Sequence, residues 1–234
     1  MSIRKTNLVC NEFYHIYNRG NGKSAIFLDD EDYDRFIKIL YICNSENNFK
    51  FRDSITSLGL DAFDFERGNT LVDILGWVLM PNHFHLILIS HRSDRWEKDY
   101  NPITEFMRKV STSYAMYFNK KYKRTGSLFE GKFKSSHINE ENYFNYIFSY
   151  VHLNPIKLIQ KDWKENGIRD KNIAINYLKT YKYSSFLDYF SEYRKQSKVI
   201  NKIILPEHLK INHTRELFDF FKNYVPHRSD LWGK

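Results

Sequence analysis

The stretch Trp77-Val-Leu-Met-Pro-Asn-His-Phe-His-Leu-Ile-Leu-Ile89 indicates two apolar strands joined by a tight turn. Side chains of a strand alternate between its two faces, so His83 and His85 point to the same side, about 6.6 Å apart along the strand. The other face is predicted to enter a core through Phe84, Leu86 and Leu88. Two imidazoles on one face form half of a metal site. An isolated His-x-His pair is more often two polar residues on a half-polar sheet face, so further residues must decide.

Length and composition allow one sizeable core and favour an anionic partner. The chain has 234 residues, 36 Lys and Arg against 28 Asp and Glu, a net charge of +8 and 17% aromatic residues. A basic surface suits nucleic acid, and rings interleaved with Lys and Arg can stack on unpaired bases, although most rings serve a core. The two cysteines are too few for a disulfide framework, and no apolar run approaches the ~18 residues of a membrane helix. We therefore expect a soluble, reduced, cytoplasmic protein without membrane contact.

The hydrophobic periodicity predicts a β-α-β-β-α-β-α order. Asp29 or Asp30 and Asn101 are expected as N-caps, the latter followed by Pro102 at the first helical position. Residues 44–70 lose periodicity and are interpreted as an irregular insertion. The predicted elements are strands at Glu12–Tyr17, Val72–Met80, His83–Ile89 and up to Ile138, and helices from Asp30 to Cys43, Pro102 to Tyr117, about Glu140 to Leu153, and Thr214 to Tyr224.

A second group of polar residues follows on the helix that ends near Leu153. Residues four apart lie on one helix face, about 6 Å apart along the axis, so Tyr146, Tyr150 and Asn154 form one stripe. A phenol and an amide oxygen presented side by side can face the two imidazoles, with the amide as a third metal ligand. Pro155 disfavours helical backbone at Asn154 and leaves the reach of that side chain open. Three roles of His15 remain open: a third metal ligand, an ordinary sheet residue and a DNA contact.

These motifs together resemble the HUH single-strand endonucleases, most closely the single-tyrosine transposases and their REP-associated group. The residues that carry the resemblance are the Trp77–His85 segment and Tyr150-Val-His-Leu-Asn-Pro-Ile156. Supporting segments, in the same order along the chain, are Tyr14-His-Ile-Tyr-Asn-Arg-Gly20, Gly126-Ser-Leu-Phe-Glu-Gly-Lys-Phe-Lys-Ser135 and Tyr183-Ser-Ser-Phe186. The resemblance implies an α+β fold, with a central antiparallel sheet of four to five strands, a ferredoxin-like HUH core and helices on its faces. It implies a transposase domain at 1–190 and leaves 191–234 as a C-terminal helical extension.

The resemblance also implies the roles of the site residues. His83, His85 and Asn154 correspond to ligands of a divalent metal, and Tyr150 to the nucleophile that forms a 5′-phosphotyrosine and releases a 3′-hydroxyl. Two imidazoles and one amide leave positions open for water and phosphate, which suits Mg²⁺ or Mn²⁺. Affinity alone favours zinc, so the metal identity follows from the resemblance. The expected partner is single-stranded DNA with a hairpin, bound by a monomer or a homodimer.

Basic residues after the second predicted helix are candidates for phosphate contacts. The segment 119–124 has four basic residues around a tyrosine, and a solvated turn explains it almost as well as a DNA-binding loop. Glycines near Arg19 can likewise form a plain turn or hold backbone amides towards a phosphate. The candidate DNA-binding residues are Arg19, Lys121, Tyr122, Lys123, Arg124, Lys132 and Lys134.

Two other functions remain open at the level of the sequence. One is a metal-dependent hydrolase in which a carboxylate such as Asp73 joins His83 and His85 and the metal activates water. The other is a binder of folded single strands that is derived from a transposase and no longer cleaves. The presence of all four site residues argues against the second alternative.

Overall fold

The computed structural model describes residues 7–49, 55, 59–90, 100–191, 193–209 and 214–223. Four strands and seven α-helices occur in these residues. The strands are β1 (Phe13–Arg19), β2 (Asp73–Met80), β3 (His83–Ile89) and β4 (Lys134–Ile138). The helices are α1 (Asp30–Cys43), α2 (Pro102–Lys121), α3 (Glu141–Leu153), α4 (Trp163–Asn166), α5 (Lys171–Thr180), α6 (Phe186–Phe190) and α7 (Thr214–Asn223).

The four strands form one antiparallel sheet in the order β2-β3-β1-β4. With α1 between β1 and β2 and α2 between β3 and β4, this is the ferredoxin-like arrangement. The predicted α+β fold is therefore confirmed. Because β1 and β3 are central, residues at facing positions of these two strands are enclosed by neighbours on both sides.

Local sequence signals explain where the helices begin. Asp29 accepts a hydrogen bond from the backbone N–H of Asp32 and caps α1, and Asn101 caps α2 in the same way with Pro102 at the first position. The α2 helix runs one turn beyond the predicted end at Tyr117. Its apolar face continues through the buried Phe118, so tertiary packing outweighs the polar composition of that turn.

The sheet has a different core on each face. The face with Phe84, Leu86 and Leu88 packs against α1 and α2, as the alternation in β3 predicted. The opposite face packs against α3 and α7 through residues such as Val78 and Ile87. His83 and His85 lie on this second face, directly under the helix that carries Tyr150.

The outer edge of β2 is covered by the segment around Ser184. Backbone hydrogen bonds join Leu79 N to Tyr183 O and Ser185 N to Trp77 O, each at 2.9 Å. This segment belongs to the motif Tyr183-Ser-Ser-Phe186, so that motif completes the sheet edge and lies away from the histidines. An edge covered in this way no longer offers unpaired backbone groups to another strand.

The described part of the insertion at 44–70 contains a 3₁₀ turn at Ala62–Asp64 and closes on the Asn44 side chain, which accepts from the amides of Leu71 and Val72. After residue 190, Leu205, Leu209 and Leu217 join the core on the α3 side. The domain boundary at 190 stays a prediction. The rest of the insertion and the chain end after 223 lie outside the described residues. Within the described residues, no helix combines the length and the apolar character needed to cross a membrane.

Candidate active site

The two histidines of β3 are held through their Nδ1 atoms. His83 Nδ1 lies 2.7 Å from the side-chain oxygen of Asn82, and His85 Nδ1 lies 2.9 Å from His15 Nε2. The rings of His83 and His85 are 5.1 Å apart and nearly perpendicular. Since Asn82 Oδ1 can only accept, His83 donates from Nδ1 and its Nε2 carries a lone pair.

Burial keeps these imidazoles neutral. Desolvation, together with the charges of Lys157 and Lys164, lowers the pKa of His83 to about 4. The pKa of His85 is lowered well below its usual value, again mainly by desolvation. A neutral imidazole is the form that binds a metal ion, so both ligands are ready for a cation at neutral pH.

Tyr150 and Asn154 reach this site from α3 and from the 3₁₀ turn that directly extends it. The Tyr150 ring centroid lies 5.3 Å from that of His85. The Asn154 amide interacts with both His83 and the Tyr150 hydroxyl. Asn154 has helical backbone angles, contrary to the expectation from Pro155. It is the first residue of the 3₁₀ turn, and Pro155 follows it at a position where a missing N–H costs nothing. The stripe of the helix therefore continues to residue 154.

Two buried polar atoms in this group lack hydrogen-bond partners within the described part of the chain. They are His85 Nε2 and Asn154 Oδ1. Buried polar atoms are almost always paired, so these two atoms, each in a residue that contacts Tyr150, fit a bound cation. No group of three His, Cys, Asp or Glu side chains suited to a metal occurs in the described residues. The donors that these residues could offer a metal ion are two imidazoles and a neutral amide.

Burial also controls the ionisation of Tyr150. Desolvation raises the pKa of its phenol to about 12, and the Asn154 amide acts in the opposite direction. Lys164 Nζ lies 3.9 Å from the centroid of the Tyr150 ring. Desolvation lowers the pKa of Lys164 to about 8. The sequence offered no reason to place Lys164 here, because it follows Tyr150 by fourteen residues across an irregular connection.

The site opens into a cleft of about 320 Å³. Its lining includes Tyr17, His83, His85 and Tyr150 together with five cationic side chains: Arg19, Lys23, Lys134, Lys157 and Lys164. Arg19 and Lys134 both form ion pairs with Glu130 at the rim. Within the described residues, no carboxylate forms an ion pair with the other three lysines. The cleft therefore concentrates positive charge next to the tyrosine.

The structure separates the predicted DNA-binding residues into two places. Arg19 and Lys134 line the cleft, whereas exposed Lys132 is outside its lining. Lys121 forms ion pairs with Asp29, Glu31 and Asp32, and the Tyr122 hydroxyl lies 2.8 Å from an Asp32 carboxylate oxygen. A lysine already neutralised by three carboxylates is a poor phosphate ligand. DNA contact by this loop, including the exposed Lys123 and Arg124, stays a prediction.

A second tyrosine in the cleft was missed by the sequence interpretation. Tyr17 of β1 stacks on His85 with ring centroids 5.8 Å apart. Tyr146, one turn before Tyr150, lies outside the cleft lining and stacks on Phe221 of α7 at 5.2 Å. Tyr17 is thus the alternative to Tyr150 as a nucleophile. The alternation of side chains along β1 places it on the same sheet face as His15.

Asp73 is too far from the histidines to share a metal with them. It pairs with Ile89 at one end of the β2–β3 ladder, whereas His83 pairs with Met80 at the other. Six residues of strand separate these positions, about 20 Å. Asp73 also accepts a hydrogen bond from Asn201. The hydrolase alternative that uses Asp73 is therefore excluded.

Comparison with known proteins gave no matching family model and no matching curated protein. Among solved structures, the chain is similar to a REP-associated tyrosine transposase bound to a REP hairpin, with 13% identity, 80% of this chain and 84% of that chain covered, and a TM-score of 0.46. It is also similar to a protein assigned as a transposase from Deinococcus radiodurans, with 14% identity, 70% and 98% coverage and a TM-score of 0.32. Because both TM-scores are below 0.5, the function proposed for this chain rests on its own residues.

Proposed function

We propose that this protein is a metal-dependent single-stranded DNA endonuclease and strand transferase that uses Tyr150 as its nucleophile. The observation that carries the proposal is the convergence of three parts in one cleft. A buried tyrosine lies against His85, two unpaired acceptor atoms lie beside it, and five cations line the opening. Each part alone has an ordinary structural explanation, but a core without a ligand does not need all three together.

His83, His85 and Asn154 would hold the cation, through the two imidazole Nε2 atoms and the amide oxygen. When bound, Mg²⁺ or Mn²⁺ would supply positive charge to a non-bridging oxygen of the scissile phosphate. This role is supported by His85 Nε2 and Asn154 Oδ1, which are buried and have no hydrogen-bond partner among the described residues.

Tyr150 performs the covalent step in the proposed reaction. Its hydroxyl oxygen attacks phosphorus and releases its proton to a proton acceptor. The bond between phosphorus and the 3′-oxygen breaks, and the departing 3′-oxygen takes up a proton. The products are a 5′-phosphotyrosine and a free 3′-end, and the retained phosphodiester energy permits rejoining without ATP or water. With a pKa near 12, Tyr150 is a hydroxyl at neutral pH, so the reaction needs a proton acceptor and stabilisation of developing charge.

The cationic lining supports a single strand as the substrate. Five cationic side chains and the ring of Tyr17 line the cleft, which is the combination that single-stranded nucleic acid binds. Recognition of a hairpin next to the cleavage site is part of the proposal and follows from the motif resemblance.

The test is formation of a covalent protein–DNA adduct in a denaturing gel, with a labelled single-stranded hairpin library, Mn²⁺ and purified protein. Tyr150→Phe removes only the hydroxyl and is expected to abolish the adduct while DNA binding stays near the wild-type level. Tyr17→Phe is the matched control, because Tyr17 stacks on the same His85 ring, and it should retain the adduct. Chelation of the metal should abolish the adduct in the wild type.

Three results would contradict the proposal in different ways. An adduct that persists in Tyr150→Phe but not in Tyr17→Phe would move the nucleophile to β1. Full activity in a chelator would remove the metal from the mechanism. Tight hairpin binding without any adduct under all metal conditions would identify a binding protein that does not cleave.

A further inference from the structure

We propose that His15 is a positioning residue that sets the tautomer and orientation of His85, so that His85 Nε2 presents its lone pair to the cleft. This inference rests on the proposed metal site. It assigns the control of the ligand His85 to His15 on the neighbouring strand β1. His15 itself stays outside the ligand set and outside the cleft lining.

The contact between the two imidazoles is specific and completely buried. His15 Nε2 lies 2.9 Å from His85 Nδ1, and the rings stack with centroids 5.0 Å apart at an angle of 24°. His15 is fully buried, and His85 is 4% exposed. In the β1–β3 ladder, His15 faces Ile87 and Tyr17 faces His85, so the two histidines are diagonal neighbours on one sheet face.

The chemistry of imidazole determines which nitrogen carries the proton. A neutral imidazole has one N–H and one lone pair, and a lone pair on His85 Nε2 requires the proton on Nδ1. The hydrogen-bond partner of His85 Nδ1 is His15 Nε2, which accepts this proton when His15 carries its own proton on Nδ1. His85 Nε2 has no hydrogen-bond partner among the described residues, so in this tautomer its lone pair is available to a cation. An apolar residue at position 15 would leave Nδ1–H buried without an acceptor and would favour the other tautomer.

The same geometry argues against a direct metal role for His15. Its Nε2 is directed at His85 Nδ1, so that atom is engaged below the cleft. Partners of metal-bound histidines commonly raise ligand basicity and fix ring orientation, and their removal typically weakens metal binding by about 10–100-fold. We expect a loss of this size for a variant that lacks the acceptor.

The test compares His15→Met, which removes the acceptor, with His15→Gln, which keeps a polar acceptor at similar reach. Titration of metal-free protein with Mn²⁺ gives the affinity, and ¹⁵N NMR of the histidine rings gives the tautomer of His85. The wild type should show a proton on His85 Nδ1. His15→Met should show a mixture of tautomers and a Mn²⁺ affinity about 10–100-fold weaker, whereas His15→Gln should remain close to the wild type. His137→Met is the control for the loss of a sheet histidine. His137 lies on β4 and pairs with Glu12, so this variant should bind Mn²⁺ normally.

The NMR measurement on the wild type decides the proposal even if a variant does not fold. A proton on Nε2 of His85 in the metal-free wild type would overturn it. Unchanged Mn²⁺ affinity and an unchanged tautomer in folded His15→Met would overturn it equally. Absence of Mn²⁺ binding by the wild type would instead contradict the proposed function, while the tautomer change in His15→Met would still test the role of His15.

Discussion

Lys164 shows how a single residue links burial to function in this cleft. Its Nζ lies over the Tyr150 ring, and its charge also acts on His15, His83 and His85. Desolvation lowers its pKa to about 8, so the amine is charged at pH 7 and largely neutral at pH 9. A residue with this position can attract a phosphate to the tyrosine in one state and accept a proton in the other.

The titration of Lys164 predicts the pH dependence of DNA binding. A phosphate binds the charged amine, so affinity is highest below the pKa and is lost as pH rises through about 8. At pH 9 about one tenth of the amine is still charged, and the dissociation constant should be about tenfold higher than at pH 7. Fluorescence anisotropy with a single-stranded hairpin at constant ionic strength measures this change.

Two variants separate Lys164 from the other cleft cations. Lys164→Gln should bind more weakly at pH 7 and show no further loss between pH 7 and pH 9. Lys134→Gln should also bind more weakly but keep the wild-type pH dependence, because Lys164 is still present. The same pH dependence in Lys164→Gln as in the wild type would show that another group titrates.

At the scale of elements, α3 is locked to the sheet by a buried hydrogen-bond chain. His152 Nδ1 donates to the Phe148 carbonyl, so its Nε2 accepts from the Ser185 hydroxyl at 2.9 Å. The Ser185 oxygen in turn accepts from the backbone N–H of Trp77. This series of hydrogen bonds connects the segment that covers the β2 edge to α3, the helix that carries Tyr150.

Removing the Ser185 hydroxyl should therefore lower the free energy of unfolding, because it leaves buried polar groups without partners. Ser185→Ala leaves the Trp77 N–H and His152 Nε2 buried without partners, and each unsatisfied group costs about 1–3 kcal/mol. We expect the free energy of unfolding to fall by about 2–4 kcal/mol in urea titrations. Ser191→Ala, at an exposed serine whose hydroxyl makes no hydrogen bond with the described residues, should change it by less than about 0.5 kcal/mol. Equal stability of the two variants would show that the buried chain contributes little.

For the whole molecule, the distribution of charge matters more than its net value of +8. Many surface lysines are neutralised locally: Lys121 by the acidic start of α1, and Lys195 and Lys198 by Asp64. The cleft collects cations without equal compensation, since Glu130 is the carboxylate that pairs with Arg19 and Lys134 at its rim. A polyanion is therefore attracted to the cleft and less to the α2 end.

The salt dependence of DNA binding tests this distribution. Each lysine–phosphate contact contributes about 0.7 to the slope of log K against log salt for a single strand. Replacing Lys23, Lys157 and Lys164 by Gln should flatten the slope by about two units if all three contact phosphate. The comparison variant Lys121→Gln should leave the slope nearly unchanged, because Lys121 is already paired with three carboxylates. A flatter slope in the comparison variant alone would place the DNA on the loop after α2.

The sequence by itself determined the four strands and the helices α1, α2, α3 and α7, whereas α4, α5 and α6 were not predicted. Alternation in β3 and the four-residue spacing of Tyr150 and Asn154 are local properties of backbone geometry, so they could be predicted without knowledge of packing. Register and the crossing of α3 over the sheet are tertiary properties. They decided that His15 contacts His85, that Tyr17 rather than Tyr146 shares the cleft, that Asp73 lies about 20 Å away and that Lys164 covers Tyr150. Such contacts join residues far apart in the chain, and the local sequence pattern carries no information about them.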